Sequence, residues 1–172
     1  MDSELINKMI QNQDIETFFS LNEDDMDSCL IELLYKHFYK MGFQKLNDIQ
    51  KTLFLCMVLE DHCQADGILS LTEENELFFL LPEIHQALLD IQAPKTAAML
   101  QKFIDSMPRG TFKNGTIPEW DWFMNDANMS VFNEIDSGIS DYPDGLMRGL
   151  YRDYILSDKE RAIRLLEVSC YE

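Results

Sequence analysis

Apolar residues recur at three- and four-residue spacing along most of this chain, and that period is what most constrains its fold. The longest example runs from Met26 to Met41 and ends directly before Gly42. Such spacing places side chains on one face of an α-helix, and glycine commonly follows the last helical residue. No segment alternates between apolar and polar residues as a half-buried strand does. The pattern predicts an all-α protein of about eight to ten helices without a significant sheet.

A central buried helix is predicted after residue 46. Asn47 and Gln50 match the capping-box pattern, which predicts a helix from there to about His62. The middle of this helix, LFLCMVL, is apolar on all sides, and a helix with no polar face is expected to be buried.

Other residues typical of helix starts divide the remainder of the chain. The predicted starts are Thr72 as an N-cap, Pro82 and Pro94 as first helical residues, Asp141 as the cap of a helix near Pro143, and Ser157 with Glu160 as a capping box. A short helix is predicted over residues 130–136, and Leu146 is expected to face inward.

The chain carries an excess of acidic residues. Its 31 acids and 14 bases give a net charge of −17 and a pI near 4.4. Such a charge repels polyanions, so neither nucleic acid nor an anionic membrane is expected as a direct partner. Residues 1–35, 66–94 and 119–147 hold 22 of the 31 acids and a single base, Lys8. Solubility does not require this segregation, which favours a surface that attracts a basic partner.

The segment between the central helix and the next one resembles a calcium loop only in part. Gly67 and Glu73 occupy the sixth and twelfth positions of an EF-hand loop that would begin at His62. The first and third positions, His62 and Gln64, lack the carboxylates that Ca²⁺ requires. We therefore interpret the segment as a turn in which Gly67 adopts positive φ. A metal site or an activated thiol at His62 and Cys63 is disfavoured, because adjacent helical residues do not face each other.

No residue pattern indicates catalysis or a bound cofactor. The chain has no phosphate-binding glycine loop, no nucleophile elbow and no HExxH motif. His37, on the apolar stripe of its helix, and His85 are interpreted as structural residues. The four cysteines, at positions 29, 56, 63 and 170, have no ligand spacing and are expected to be reduced, buried thiols of a cytoplasmic protein.

Acidic and aromatic residues alternate in EWDWFMNDAN, residues 119–128. Two roles are open for these aromatics: they pack in the core, which is the more usual role, or they form an adhesive surface patch.

Three segments resemble a known family. They are LFLCMVLEDHCQADGI, then PEIHQALLDIQAPKTAAML followed by FIDSMPRG, and finally FNEIDSGISDYPDGLMRGLYRDYI. Together they resemble the bacterial DNA-mimic-protein-like domain family over roughly residues 50–158. The turn QADG and the SLTEEN that follows it differ from the family pattern.

The resemblance implies an all-α fold. For at least some members it also implies a protein that imitates the charge of DNA and occupies a DNA-binding protein, such as a helix-turn-helix repressor, as a homodimer. We therefore predict a non-enzymatic acidic binding protein of this kind. We also predict an N-terminal helical extension, residues 1–45, packed on a DNA-mimic-like helical domain, residues 46–172.

The expected partner is a basic protein such as a DNA-binding regulator or a nuclease. The predicted partner-binding residues are the acids of two blocks: Glu73, Glu74, Glu76, Glu83, Asp90, Glu119, Asp121, Asp126, Glu134, Asp136, Asp141 and Asp144. Three alternatives stay open: an immunity or antitoxin-type inhibitor of a basic toxin or nuclease, a protein whose charge serves only solubility, and an enzyme or metal protein that uses His62, Cys63 or the loop before Glu73.

Overall fold

The computed structural model describes residues 3–167, except for the side chains of residues 3–5, 10, 36–41 and 75. The described residues form helices without any strand, which confirms the all-α prediction, but the helices are more numerous than predicted because several connections are themselves short helices. The α-helices are α1 (Ser3–Asn12), α2 (Ile15–Ser20), α3 (Glu23–Met41), α4 (Asp48–Ala65), α5 (Asn75–Phe79), α6 (Leu81–Asp90), α7 (Pro94–Ser106), α8 (Thr111–Asn114), α9 (Trp120–Phe123), α10 (Asp126–Ser140), α11 (Met147–Leu156) and α12 (Lys159–Leu166). Phe43–Lys45 and Ile68–Glu73 are 3-10 helices.

The chain folds into two compact units. The terminal unit takes the described parts of Met1–Phe54 and Leu146–Glu172, and the central unit takes Leu55–Gly145. The predicted division into residues 1–45 and 46–172 stays a prediction.

In the terminal unit, α11 packs against α3 and α12, and α12 packs against α2. The stripe predicted for α3 is buried at Cys29, Leu30, Leu33 and Leu34. The backbone N–H of Asp25 donates to the Asn22 side chain at 3.0 Å, which caps the helix. Gly42 follows the helix with φ 76°, as predicted. The His37 side chain lies outside the described residues.

The capping box at the start of α4 is confirmed. The Gln50 N–H donates to Asn47 Oδ1 at 3.0 Å, and the Asn47 N–H donates to Gln50 Oε1 at 3.1 Å. All seven residues of LFLCMVL, 53–59, are buried, also as predicted.

In the central unit, α7 packs between α6 and α10, and α10 also contacts α9 and the 3-10 helix Ile68–Glu73. Pro94 is the first residue of α7, as predicted, whereas α6 begins at Leu81, one residue before the predicted start at Pro82. The core includes Leu88, Leu100 and Ile135.

Two predicted starts in the central unit are wrong. Thr72 lies inside a 3-10 helix, where its hydroxyl donates to the Leu69 carbonyl at 2.7 Å instead of capping a helix. Asp141 is the C-cap of α10 and not an N-cap, because α10 extends from Asp126 to Ser140 rather than over 130–136. Asn125 starts α10 early, since its side chain accepts from the Ala127 N–H at 3.0 Å.

Two predictions in the terminal unit are wrong as well. Leu146 is 69% exposed rather than inward-facing, and α11 begins only after it, at Met147. Ser157 is the C-cap of α11. The last helix is capped one residue later by Asp158, whose side chain accepts from the Glu160 N–H at 2.9 Å.

Candidate protein-binding surface

Most of the negative charge lies in the central unit. Residues 55–145 hold 16 acids and 4 bases, a net charge of −12, whereas the remaining residues hold 15 acids and 10 bases, a net charge of −5. All twelve predicted partner-binding residues belong to the central unit. Two of the three acidic blocks therefore lie in one compact unit, and residues 1–35 belong to the other.

The acidic segments of the central unit are connected by packing. Helix α5 contacts α6 and the 3-10 helix Ile68–Glu73, which contacts α10, and α10 contacts α9. Residues 73–90 and 119–141, which are distant in sequence, therefore lie on elements of one packed unit. The positions are: Glu73 at the end of the 3-10 helix, Glu74 before α5, Glu76 in α5, Glu83 and Asp90 in α6, Glu119 before α9, Asp121 in α9, Asp126, Glu134 and Asp136 in α10, Asp141 directly after α10, and Asp144 before α11.

Ten of the twelve predicted residues are exposed to solvent, and Asp136 and Asp144 are half-buried. Seven of the ten make no side-chain hydrogen bond or ion pair within the part of the chain that the structure describes: Glu73, Glu76, Glu83, Glu119, Asp121, Asp126 and Asp141. Carboxylates without an internal partner are available to an external cation.

The other three exposed carboxylates have internal partners. Glu74 lies 3.6 Å from His62 Nε2, and Glu134 lies 3.6 Å from Lys102 Nζ. Asp90 accepts from the Gln86 side chain at 3.0 Å. Because exposed pairs are worth little, about 0–1 kcal/mol, such contacts can be exchanged for contacts with a partner.

The side chain of Asp144 instead caps the N-terminal end of α7. It accepts from the backbone N–H groups of Thr96 at 2.7 Å and Lys95 at 3.2 Å, and from the Thr96 hydroxyl at 2.9 Å. The N-cap residue of α7 is Ala93, which has no side-chain oxygen with which to accept these hydrogen bonds. A carboxylate 48 residues further along the chain therefore caps the helix.

Asp136 fixes the turn before the 3-10 helix Ile68–Glu73. It accepts from the Ile68 N–H at 2.9 Å. Gly67 adopts φ 83°, as predicted, and a Cβ there would lie 2.9 Å from Asp136 Oδ2. A third half-buried acid, Glu60, accepts from the Tyr142 hydroxyl at 3.0 Å. The half-buried carboxylates of this unit thus accept hydrogen bonds from residues distant in sequence.

The aromatics of residues 119–128 divide between the two predicted roles. Phe123 is buried, and its ring centroid lies 6.1 Å from that of the buried Phe132. Trp122 is half-buried against both rings, whereas Trp120 is 53% exposed. Sequence reasoning did not separate Trp120 from Trp122, because α9 is too short for its apolar period to define a buried face.

The segment around His62 is held by hydrogen bonds. The Ser70 hydroxyl donates to the Gly67 carbonyl at 2.7 Å and accepts from His62 Nδ1, also at 2.7 Å. Because the hydroxyl proton of Ser70 is used for the Gly67 carbonyl, His62 Nδ1 is the donor in this pair. Within the described residues no three His, Cys, Asp or Glu side chains are grouped so that they could hold a metal ion.

The described thiols are buried. Cys29, Cys56 and Cys63 are buried and form no disulfide among the described residues, and Cys170 lies outside those residues. Burial raises the pKa of the Cys56 thiol well above its ordinary value, and Asp90 and Glu60 add to the shift. Burial likewise raises the pKa of the Cys63 thiol, with a smaller contribution from Asp136. Neutral thiols of this kind are poor nucleophiles.

None of the described helices combines the length and the apolar character needed to cross a membrane.

Comparison with known proteins identifies the family. The family model described as DMP19-like protein matches residues 44–158, which include the whole central unit and begin slightly before the predicted residue 50. Neither the curated proteins nor the solved structures contain a significant match. The match covers about two thirds of the chain, so this protein belongs to the DMP19-like protein family.

Proposed function

We propose that this protein is a DNA mimic, a non-enzymatic acidic protein that occupies the DNA-binding surface of a basic protein. One observation carries the proposal. The segment that matches the family model contains a compact unit of net charge −12 in which thirteen of the sixteen acids are exposed. The proposed contact residues are the ten exposed acids of the predicted set, whereas Asp136 and Asp144 form hydrogen bonds within the unit.

The charge spacing of helices makes this imitation feasible. Duplex DNA carries about one negative charge per 1.7 Å of its axis. Residues three or four apart on a helix lie about 5–6 Å apart, so several packed helices can present comparable rows of carboxylates. Glu83 and Asp90 are seven residues apart on α6, and they therefore lie on the same face of that helix.

The proposed partner is a basic regulator or nuclease whose own ligand is DNA. The acidic surface attracts lysine and arginine side chains over a distance, which accelerates association and weakens as salt screens the charges. No direct binding to nucleic acid or to a membrane is proposed, because both surfaces carry charge of the same sign.

Two variants with equal net charge test the proposal. In the first, Glu73, Glu76, Glu83, Glu119 and Asp121 are replaced by Gln or Asn. In the matched control, five exposed acids of the terminal unit, Glu16, Glu23, Asp24, Asp153 and Glu160, are replaced in the same way. Proteins captured on the immobilised wild-type chain at low salt are purified, and each variant then competes with a fluorescent DNA duplex for them.

We expect the wild-type chain to displace the duplex and the first variant to compete at least about tenfold more weakly, equivalent to about 1.4 kcal/mol. The control should compete nearly as well as the wild-type chain. An equal loss of competition in both variants would show that binding depends on the net charge of the chain and not on the position of its acids. Capture of no basic protein at low salt would refute the proposal. Capture of a nuclease whose activity is blocked would instead favour the immunity-type alternative.

A further inference from the structure

Trp120 is an exposed aromatic side chain on an acidic surface. Among the described residues with large exposed apolar side chains, it is the only aromatic. It is 53% exposed, and Met124, one helical turn later, is 46% exposed. The Met124 N–H donates to the Trp120 carbonyl at 3.0 Å, so this turn is formed. The two residues leave apolar area in contact with water.

The ring of Trp120 contacts a buried aromatic side chain at its base. Its ring centroid lies 6.3 Å from that of Phe123, which is buried against Phe132. The Asn128 side chain donates to the Trp122 carbonyl at 2.7 Å and ties α9 to α10. A tryptophan side chain has only two χ angles, so the indole loses little conformational entropy when a partner covers it.

The residues that flank Trp120 in the chain are acidic. These two residues, Glu119 and Asp121, are exposed and have no side-chain partner within the described residues, and the same holds for Asp126 at the start of α10. Residues 119–147 contain no lysine or arginine. A second copy of this chain would bring the same carboxylates together, which disfavours self-association through this surface.

Arginine fits both parts of this surface. Its planar guanidinium stacks on aromatic rings, preferentially on tryptophan, and its N–H groups donate to carboxylates in a fork. Lysine offers a compact, strongly hydrated charge without a flat face. Tryptophan and arginine are also the residue types most enriched among those that dominate binding energy at interfaces.

We propose that Trp120 anchors an arginine side chain of the basic partner, with its guanidinium stacked on the indole and its positive charge attracted by the exposed acids of residues 119–126. This inference rests on the proposed function, because it specifies which cation that partner presents.

Two synthetic peptides of equal length and charge, one rich in arginine and one rich in lysine, test it. The indole N–H signals of the ¹⁵N-labelled protein are followed by NMR, and a Trp120→Phe variant identifies the signal of Trp120. We expect the arginine peptide to shift that signal and to bind more tightly than the lysine peptide. Trp120→Ala should weaken arginine-peptide binding by about two- to thirty-fold, and Trp120→Phe should weaken it less.

Leu146→Ala, which removes an exposed apolar side chain from the terminal unit, is the matched control and should leave the affinity unchanged. The inference is wrong if both peptides bind equally and Trp120→Ala changes nothing. In that case, weaker binding by the five-acid variant of the central unit would still support the proposed function. If neither peptide binds at low salt, the inference and the proposed basic partner both fail.

Discussion

Asp144 accepts hydrogen bonds from two backbone N–H groups and one hydroxyl at the start of α7. At this position a carboxylate also interacts favourably with the positive end of the helix dipole. Replacing it leaves those donors without a protein acceptor. We predict that Asp144→Ala lowers the free energy of unfolding by about 1–2 kcal/mol, measured by urea denaturation with circular dichroism. Asp144→Asn should cost less, because an amide oxygen still accepts.

The control for this prediction is Asp141→Ala. Asp141 is exposed and makes no side-chain hydrogen bond to the described residues, so the change should stay within about 0.5 kcal/mol. Equal losses in the two alanine variants would show that the hydrogen bonds to α7 do not stabilise the fold.

The buried thiols lead to a second prediction at this scale. In a Cys170→Ser variant, Cys29, Cys56 and Cys63 should react with a disulfide reagent at pH 8 only after the protein is unfolded by guanidinium. The raised pKa of Cys56 and Cys63 keeps both thiols protonated in the folded state. Rapid reaction of any of the three in the native protein would contradict the burial described here.

The same thiols make the free energy of unfolding depend on pH in the alkaline range. The pKa of both groups is higher in the folded state than the ordinary value of 9.0, so the unfolded state loses their protons first. Their contribution to the free energy of unfolding is therefore fully present below about pH 9 and is lost as the pH rises through the folded-state pKa.

At the scale of the elements, the two capping-box residues of α4 also hydrogen-bond to the C-terminal end of α12. The Gln50 side chain is fully buried and donates to the carbonyls of Leu165 at 3.0 Å and Glu167 at 2.8 Å. The Asn47 side chain donates to the Arg164 carbonyl at 2.7 Å. Side chains at the start of one helix thus donate to carbonyls at the end of another, where helices leave backbone acceptors without intrahelical partners.

We predict that Gln50→Ala lowers the free energy of unfolding by about 1–3 kcal/mol, because it leaves buried backbone groups without a hydrogen bond. Gln64→Ala is the matched control on the same helix, since Gln64 is exposed. Its effect in guanidinium denaturation should be within about 0.5 kcal/mol. A similar loss in both variants would indicate that only helix propensity was changed.

For the whole molecule, the concentration of charge in the central unit has opposite consequences for folding and for binding. Like charges repel within the folded chain, and salt screens them over a Debye length that falls from about 30 Å at 0.01 M to about 8 Å at 0.15 M. We predict that the melting temperature of the wild-type chain rises by a few degrees over this range, measured by scanning calorimetry. Binding to the basic partner should weaken over the same range.

The variant with five acids neutralised in the central unit should show a smaller salt-dependent rise than the matched variant of the terminal unit, where acids and bases are closer to balance. Equal rises would mean that repulsion is not concentrated in the central unit.

Features set by residues close in sequence were predicted well. The helical period, the start of α4 at Asn47 and Gln50, and the positions of Pro82 and Pro94 are local, because a helix and its caps depend on residues three or four apart. The charge segregation and the family resemblance were also readable from the sequence. Local rules misplaced the caps at Thr72, Asp141 and Ser157, because a polar residue near a helix boundary can also lie in a 3-10 helix or end the preceding helix.

By itself, then, the sequence determined an all-α protein with its acids in blocks. Only the tertiary structure decided which carboxylates face solvent and which support the fold. Asp144 caps a helix 48 residues away and Asp136 holds a turn 68 residues away, and no local pattern encodes either contact. Packing likewise decided that Trp122 rests on the core while Trp120 reaches water, because the burial of a short helix depends on the elements around it.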